Sequence, residues 1–312
     1  MTDSTTILLF GGIIIDQYVL VDQSPPRGGD ALIHDSFFRV GGCAINVGTT
    51  LQNLGIRPWI VSAVGDDAWG LRIRAYLEEK QFPAEAIRYG EKQASGYCLS
   101  IVEQDGERTF LTYKGCEAVF MPSMLEGADF RQISHVYVTG YYLLDPAYTD
   151  AIAGELKKLK AAGAYLVFDP GPLAASIPTE TLLTVLKLTD LLLPNDAEWT
   201  ILGELLNGGT AGEPPWRELG IGTVILKQGS RGADVRTADG GYRVAPYSAE
   251  SIDTSGAGDS FAGGLLYSLA RGDDMRTAVQ IAAACGALTT TLMGPHGAFS
   301  LNDIMNLIQK AR

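Results

Sequence analysis

Short apolar runs alternate with helical stretches along most of this chain, and that alternation restricts its fold more than any other feature. The runs are TTILLF (5–10), WIVSAVG (59–65), HVYVTG (135–140), AYLVFD (164–169), DLLLPN (190–195) and TVILKQG (223–229). They are apolar nearly throughout, as strands covered on both faces must be. Helical stretches fall between them, near 67–80, 148–162, 179–188 and 195–206. Helices dominate after 258, at about 258–271, 274–291 and 301–311. Strand and helix in succession predict a mostly parallel sheet between two helical layers, an α/β fold of the three-layer αβα kind. A chain of 312 residues that is 46% hydrophobic can fill such a core.

Two stretches break the rhythm. QYVLVDQSPPRGGDALIHDSFFRV (17–40) reads as two extended segments joined by a Pro/Gly turn. SGYCLSIVEQDGERTFLTYKG (95–115) reads as a hairpin turning at Asp105-Gly106. We therefore expect residues 1–16, 41–94 and 116–312 to build the core, and 17–40 and 95–115 to build a small antiparallel β-sheet. Such an appendage is either an ordinary surface hairpin or a lid over a site. The loop-rich patch NGGTAGEPPW (207–216) is expected on the surface.

Composition removes several function classes. A net charge of −12 argues against a nucleic-acid surface, which needs a basic face. It leaves small anionic ligands open, because backbone N–H groups bind phosphate without net charge. The four cysteines, at 43, 98, 116 and 285, form no CxxC pair, and with three histidines a zinc site is not expected. They read as reduced thiols in a cytoplasmic protein. The start MTDSTTILLFGG lacks a basic n-region, and no apolar run reaches the length of a membrane span.

The stretch IDTSGAGDSFAGG (252–264) is where chemistry is expected. Gly256, Ala257 and Gly258 precede a helical run, so consecutive N–H groups and the helix dipole converge on one spot, an anion hole. Asp259 is then either a helix cap or a base for an attacking hydroxyl. Other readings fail on the letters. No Gly-Lys pair occurs, Phe261 stands where a dinucleotide motif needs its third glycine, and neither Ser255 nor Ser260 lies in GxSxG. Ser260 reads as an ordinary first-turn residue.

Four further constellations lie along the chain. In GGCAIN (41–46), Gly41 and Gly42 admit a close ligand and Asn46 offers an amide, or it is a surface residue after a glycine turn. In FGGIIID (10–16), Asp16 follows the first strand, where α/β folds bind ligands. In PNDAE (194–198), Asn195 and Glu198 share a helix face that suits Mg²⁺ and its waters, or they cap the helix. In VILKQGSRG (224–232), Lys227, Gly229 and Gly232 end a strand where a nucleotide fits, or they form a simple turn.

In this order and spacing, GG/D, GGxxxN, PNxxE, a strand with a glycine-rich turn, and DTSGAGD resemble the PfkB family of carbohydrate kinases, also called ribokinase-like. The resemblance spans nearly the whole chain. It implies ATP-dependent phosphoryl transfer to a primary hydroxyl of a sugar or nucleoside, with a β-sheet lid that often makes a homodimer. It implies Asp259 as catalytic base and Gly256, Ala257 and Gly258 as the anion hole. Asp16, Gly41, Gly42 and Asn46 match sugar contacts. Asn195 and Glu198 match the phosphate and Mg²⁺ pair, and Lys227, Gly229 and Gly232 the ATP-binding turn. Asp253 and Ser255 match positions that hold a monovalent cation, K⁺, in some members.

Departures narrow the acceptor. Ile14 stands where ribokinase has Asn, and Cys43 stands where it has Lys, so ribose is not expected. Ala283 replaces an Asn near the adenine, which leaves that pocket to shape and backbone. Gly140 and Tyr141 fall where substrate contacts often lie. A nucleoside kinase is the rival within the class; Tyr97, Phe110 and Tyr141 would supply its aromatic slot. A non-catalytic sugar- or nucleotide-binding regulator is the rival outside it, and it would have no need of Asp259.

Overall fold

In the computed structural model, residues 6–105 and 107–311 are described. In chain order the first strands are β1 (Thr6–Phe10), β2 (Ile14–Val21), β3 (Ile33–Gly41), β4 (Trp59–Gly65), β5 (Ile87–Glu91), β6 (Tyr97–Val102) and β7 (Arg108–Tyr113). They are followed by β8 (Ile133–Thr139), β9 (Tyr165–Asp169), β10 (Leu191–Leu192), β11 (Thr223–Lys227), β12 (Ala233–Thr237) and β13 (Gly240–Val244). The helices are α1 (Cys43–Asn53), α2 (Ala68–Glu79), α3 (Thr149–Ala161), α4 (Thr179–Leu186), α5 (Asp196–Leu206), α6 (Ala257–Ala270), α7 (Met275–Thr290) and α8 (Leu301–Lys310).

The large sheet has nine strands in the order β13-β12-β11-β10-β9-β8-β1-β4-β5. From β11 through β5 every pairing is parallel, and β12 and β13 add an antiparallel edge. Residues of β1 show why its run is apolar throughout. Ile7 and Leu9 enter one core with α1, α2, α6, α7 and α8, while Leu8 and Phe10 enter a second with α3, α4 and α5. Alternate side chains leave a strand on opposite faces, so a strand between two helical layers has no polar side.

The αβα architecture expected from the sequence is the one observed, with four local differences. β10 is cut to Leu191–Leu192 ahead of Pro194. β5 was not foreseen, nor was the β12–β13 hairpin, although Asp239-Gly240 at its turn is a hairpin signal. β8 stops at Thr139, one residue before Gly140.

The two irregular stretches make a second, four-stranded sheet in the order β3-β2-β6-β7. Its outer pairs are antiparallel, as expected, but they join along a parallel seam between β2 and β6. β2 also begins earlier than expected, at Ile14, so Asp16 sits inside a strand of the small sheet and not in the loop after β1. The Glu103 N–H bonds the Glu107 carbonyl at 2.9 Å across the β6–β7 turn. Of the expected turn pair, Gly106 lies outside the described residues.

Candidate active site

Parallel strands bring their carboxyl ends to one edge of a sheet, and a cleft opens there. Thr139 ends β8, Asp169 ends β9 and Lys227 ends β11, while Asn195 follows β10 and bridges in parallel to Lys227. Together with Glu198 and Asp259 these residues line a cleft of about 380 Å³.

The other wall is the start of α6. Gly256 has φ +69°, and a Cβ there would lie 1.8 Å from the Pro295 carbonyl oxygen, so only glycine turns this corner. The Ser260 N–H closes on the Gly256 carbonyl at 2.8 Å, and the Ala257 N–H donates to Thr254 at 3.3 Å. First-turn N–H groups lack intrahelical acceptors. Gly256 and Gly258 line the cleft; Ala257 is not among its lining residues.

The Asp259 carboxylate is not spent on capping. Its Oδ2 accepts a 2.7 Å hydrogen bond from Nδ2 of Asn46 on α1, and α6 has no side-chain cap bond at Gly256. Gly42 places α1 for this contact: its φ is +91°, and a Cβ would sit 2.5 Å from the Gly12 carbonyl oxygen. Asn46 is therefore buried, not a surface residue, and its Oδ1 has no hydrogen-bond partner among the described residues. Burial pushes the Asp259 carboxyl up to about 6, against the lowering effect of the Asn46 bond, with nearby Asp169 adding to the rise. A base must be ionised to work, so turnover should fall as the pH drops through about 6. Asn46→Ala removes the bond that favours the carboxylate. The acid limb of kcat/KM should then move to higher pH, by roughly one unit. A pH–rate profile of the two proteins checks this; an unmoved limb would contradict it.

Deeper in the cleft, Lys227 Nζ donates to Asp169 Oδ2 at 2.6 Å, with both side chains nearly buried. Burial alone would depress the ammonium, but Asp169, Glu198 and Asp259 outweigh it and keep Lys227 charged. Glu198 and Asn195 form a reciprocal capping box on α5: the Asn195 N–H and Nδ2 donate to the carboxylate at 2.8 and 2.9 Å, and the Glu198 N–H returns 2.8 Å to Asn195 Oδ1. The capping reading and the ligand reading of this pair thus coexist. Burial, then repulsion from Asp169, pushes the Glu198 carboxyl up to about 7. Three carboxylates share one lysine here, a surplus of negative charge that fits a divalent cation. No cluster of three acidic, His or Cys side chains among the described residues closes tightly enough to chelate a metal directly.

Asp16 lies next to this centre. Burial and then the Asp259 charge push its carboxyl up to about 7, while a backbone hydrogen bond from Gly42 resists. A Cβ at Gly41 would fall 2.1 Å from Asp16 Oδ2, so that glycine makes room for the carboxylate. Gly229 lines the cleft. Gly232 and Ala283 do not, and neither do Asp16, Gly41, Gly42 and Asn46; Gly232 serves the turn into β12, with φ +92° and a would-be Cβ 2.2 Å from the Val244 carbonyl oxygen, and Ala283 packs against the core. Ser260 is buried and receives hydrogen bonds from Thr50 and Thr289 at 3.0 and 2.7 Å, which ties α6 to its neighbours.

Asp253 and Ser255, the expected K⁺ positions, are already engaged. Arg108 of β7 donates to Asp253 Oδ1 and, at 2.7 Å, to Ser255 Oγ. The N–H groups of Ser255 and Gly294 fill the rest of the carboxylate, each at 2.8 Å. A monovalent cation does not fit beside a guanidinium on the same two side chains.

Sequence reasoning missed Asp169, Arg108 and Thr139. Asp169 carried a usable signal, because it ends an apolar strand of a parallel sheet, the logic applied to Asp16. Arg108 carried none, since its partners lie 145 and 147 residues away.

A profile described as pfkB family carbohydrate kinase matches residues 4–300. The chain is 29% identical to an ATP-dependent ribose-1-phosphate kinase of Halopiger xanaduensis over 94% of each protein. Its fold matches a nucleoside kinase of Methanocaldococcus jannaschii with a TM-score of 0.83 at 22% identity, covering 98% of both chains. It also matches an Escherichia coli structure holding ATP and Mg²⁺, with a TM-score of 0.80 at 24% identity over 98% of this chain and 99% of that one. With its motifs assembled around one cleft and the profile spanning nearly all of it, the chain belongs to the PfkB family of carbohydrate kinases, phosphotransferases that act on hydroxyl acceptors.

Proposed function

We propose that this protein is an ATP-dependent kinase that transfers the γ-phosphate to a primary hydroxyl of a small sugar or sugar derivative. The observation that carries the reading is the Asp259 carboxylate, held by Asn46 at the first turn of α6 and facing Lys227 across the cleft. Asp259 takes the proton of the acceptor hydroxyl. Asp16 and the unpartnered Asn46 Oδ1 hold the acceptor's other hydroxyls. The α6 N–H groups and Lys227 stabilise charge on the phosphoryl oxygens, which is most of what phosphoryl transfer asks of a protein. Mg²⁺, when bound, neutralises phosphate charge, and Glu198 with Asp169 would hold it through water. The small sheet, supplying Asp16, acts as a lid that excludes water.

A sugar is favoured over a nucleoside by the aromatic residues. Of the three that would stack a base, only Tyr141 lines the cleft. Tyr97 stacks instead on Tyr113 with centroids 5.2 Å apart, and Phe110 is exposed. ATP consumption against hexoses, pentoses, phosphorylated sugars, sugar acids and nucleosides tests the reading. Turnover confined to nucleosides would replace it with the nucleoside kinase, and none with any acceptor would favour a binding regulator.

We also propose that the small sheet joins two copies of the chain. Ile33, Phe110, Leu111 and Tyr113 on it are each more than two-fifths exposed, an apolar surface that solvent does not favour. Leu111→Asp should shift the protein from dimer to monomer in light scattering. A wild-type protein already monomeric at working concentration would refute this.

A further inference from the structure

We infer that Arg108 is a built-in replacement for a diffusible cation: its guanidinium, delivered by the small sheet, holds the Asp253–Ser255 turn that leads into the anion hole. The argument begins with Asp253. Its side chain is 0% exposed, and such a carboxylate requires a counter-charge. Arg108, itself only 14% exposed, is the cation that meets it. Burial alone would push the Asp253 carboxyl up, yet the Arg108 hydrogen bond and the amides of Ser255 and Gly294 hold it below the usual carboxylate range. The group is therefore charged and satisfied without any ion.

The location gives the contact its consequence. Gly256 follows Ser255 directly, and Gly256 and Gly258 line the cleft. Through Ser255 N–H and Oγ and Gly294 N–H, the Arg108–Asp253 pair fixes both the turn before α6 and the loop after α7. Arg108 stands at the first position of β7, registered opposite Val102 of β6. The cation that braces the phosphate-binding turn thus belongs to the same sheet as Asp16, so bracing and acceptor binding arrive together. A mobile ion would leave the two independent. Arg108 touches no reacting atom; it is a positioning residue.

The test compares KCl with tetramethylammonium chloride at equal ionic strength, for wild type, Arg108→Ala and Arg108→Lys. It rests on the kinase reading only for its turnover arm; thermal unfolding provides an arm that needs no acceptor. Wild type should show the same Tm and turnover in both salts. Arg108→Ala should lose turnover by more than about tenfold in tetramethylammonium, and should recover Tm and turnover with K⁺, NH₄⁺ or guanidinium at sub-denaturing concentration. A purely structural arginine would show no such cation-specific rescue. Activation or stabilisation of wild type by K⁺ would overturn the inference, as would an Arg108→Ala protein that no cation rescues. Should that variant not fold, the wild-type salt comparison and Arg108→Lys, expected to keep cation-independent turnover, still decide it. Failure of the kinase reading would show as no turnover in any protein, with the Tm pattern intact.

Discussion

Asp259→Asn should lower turnover by about 10³-fold while leaving ATP binding within a few-fold of wild type. The substitution keeps the size and shape of the side chain, and its amide oxygen can still accept from Asn46 Nδ2, now 2.7 Å from Oδ2. What disappears is the site that takes a proton. The α6 N–H groups, Lys227 and Asn195 remain to meet the phosphates, so affinity measured by calorimetry should survive. The loss should appear in kcat and not in KM, because proton acceptance belongs to the transition state. The residual rate should also lose its dependence on pH near 6, where burial places the wild-type carboxyl. Turnover within tenfold of wild type would remove Asp259 from the mechanism and return it to a structural role.

Lys227→Met is expected to damage both the fold and the site. The lysine lies between Asp169 at 2.6 Å and the nearby charges of Glu198 and Asp259. Removing it strands Asp169, which is 9% exposed, without a cation. Breaking one side of a buried pair costs about 3 kcal/mol, enough to lower the Tm of a chain this long by roughly 4–5 °C. The repulsion that already raises Glu198 and Asp259 would grow, so both carboxyls should titrate higher still. Differential scanning calorimetry measures the first effect and ATP titration the second, where at least tenfold weaker binding is expected for the lost charge. Adding Asp169→Asn removes the stranded charge and should recover part of the Tm but not the affinity. A single variant with unchanged Tm and unchanged ATP affinity would show that the pair supports neither.

Local sequence carried much of the fold. β1, β4, β8, β9 and β11 were legible because burial on both faces leaves an unbroken apolar run, and α6, α7 and α8 because their apolar positions recur at helical spacing. β5 was not legible, since Ile87–Glu91 is an edge strand mixing charged and apolar residues. β13, the opposite edge, and its neighbour β12 likewise mix charged and apolar residues, with Asp234, Arg236 and Arg243 among them. The parallel seam between β2 and β6 is a pairing across about 80 residues of chain, which no local pattern encodes.

The candidate site divides in the same way. Sequence by itself marked the glycines of 41–42 and 256–258 and the acidic residue beside the second group, and the structure shows that Gly42 and Gly256 make turns only glycine can make. These are local demands of backbone geometry, so they leave local marks. Only the tertiary structure decided what the side chains do. It showed that Asn46 supports Asp259, that Asp169 pairs with Lys227, and that Gly232 and Ala283 stay out of the cleft. It also placed Arg108 on the two side chains where an ion was expected. Each of these contacts joins residues far apart in the chain, and their energy comes from burial and charge that exist only once the sheets have come together.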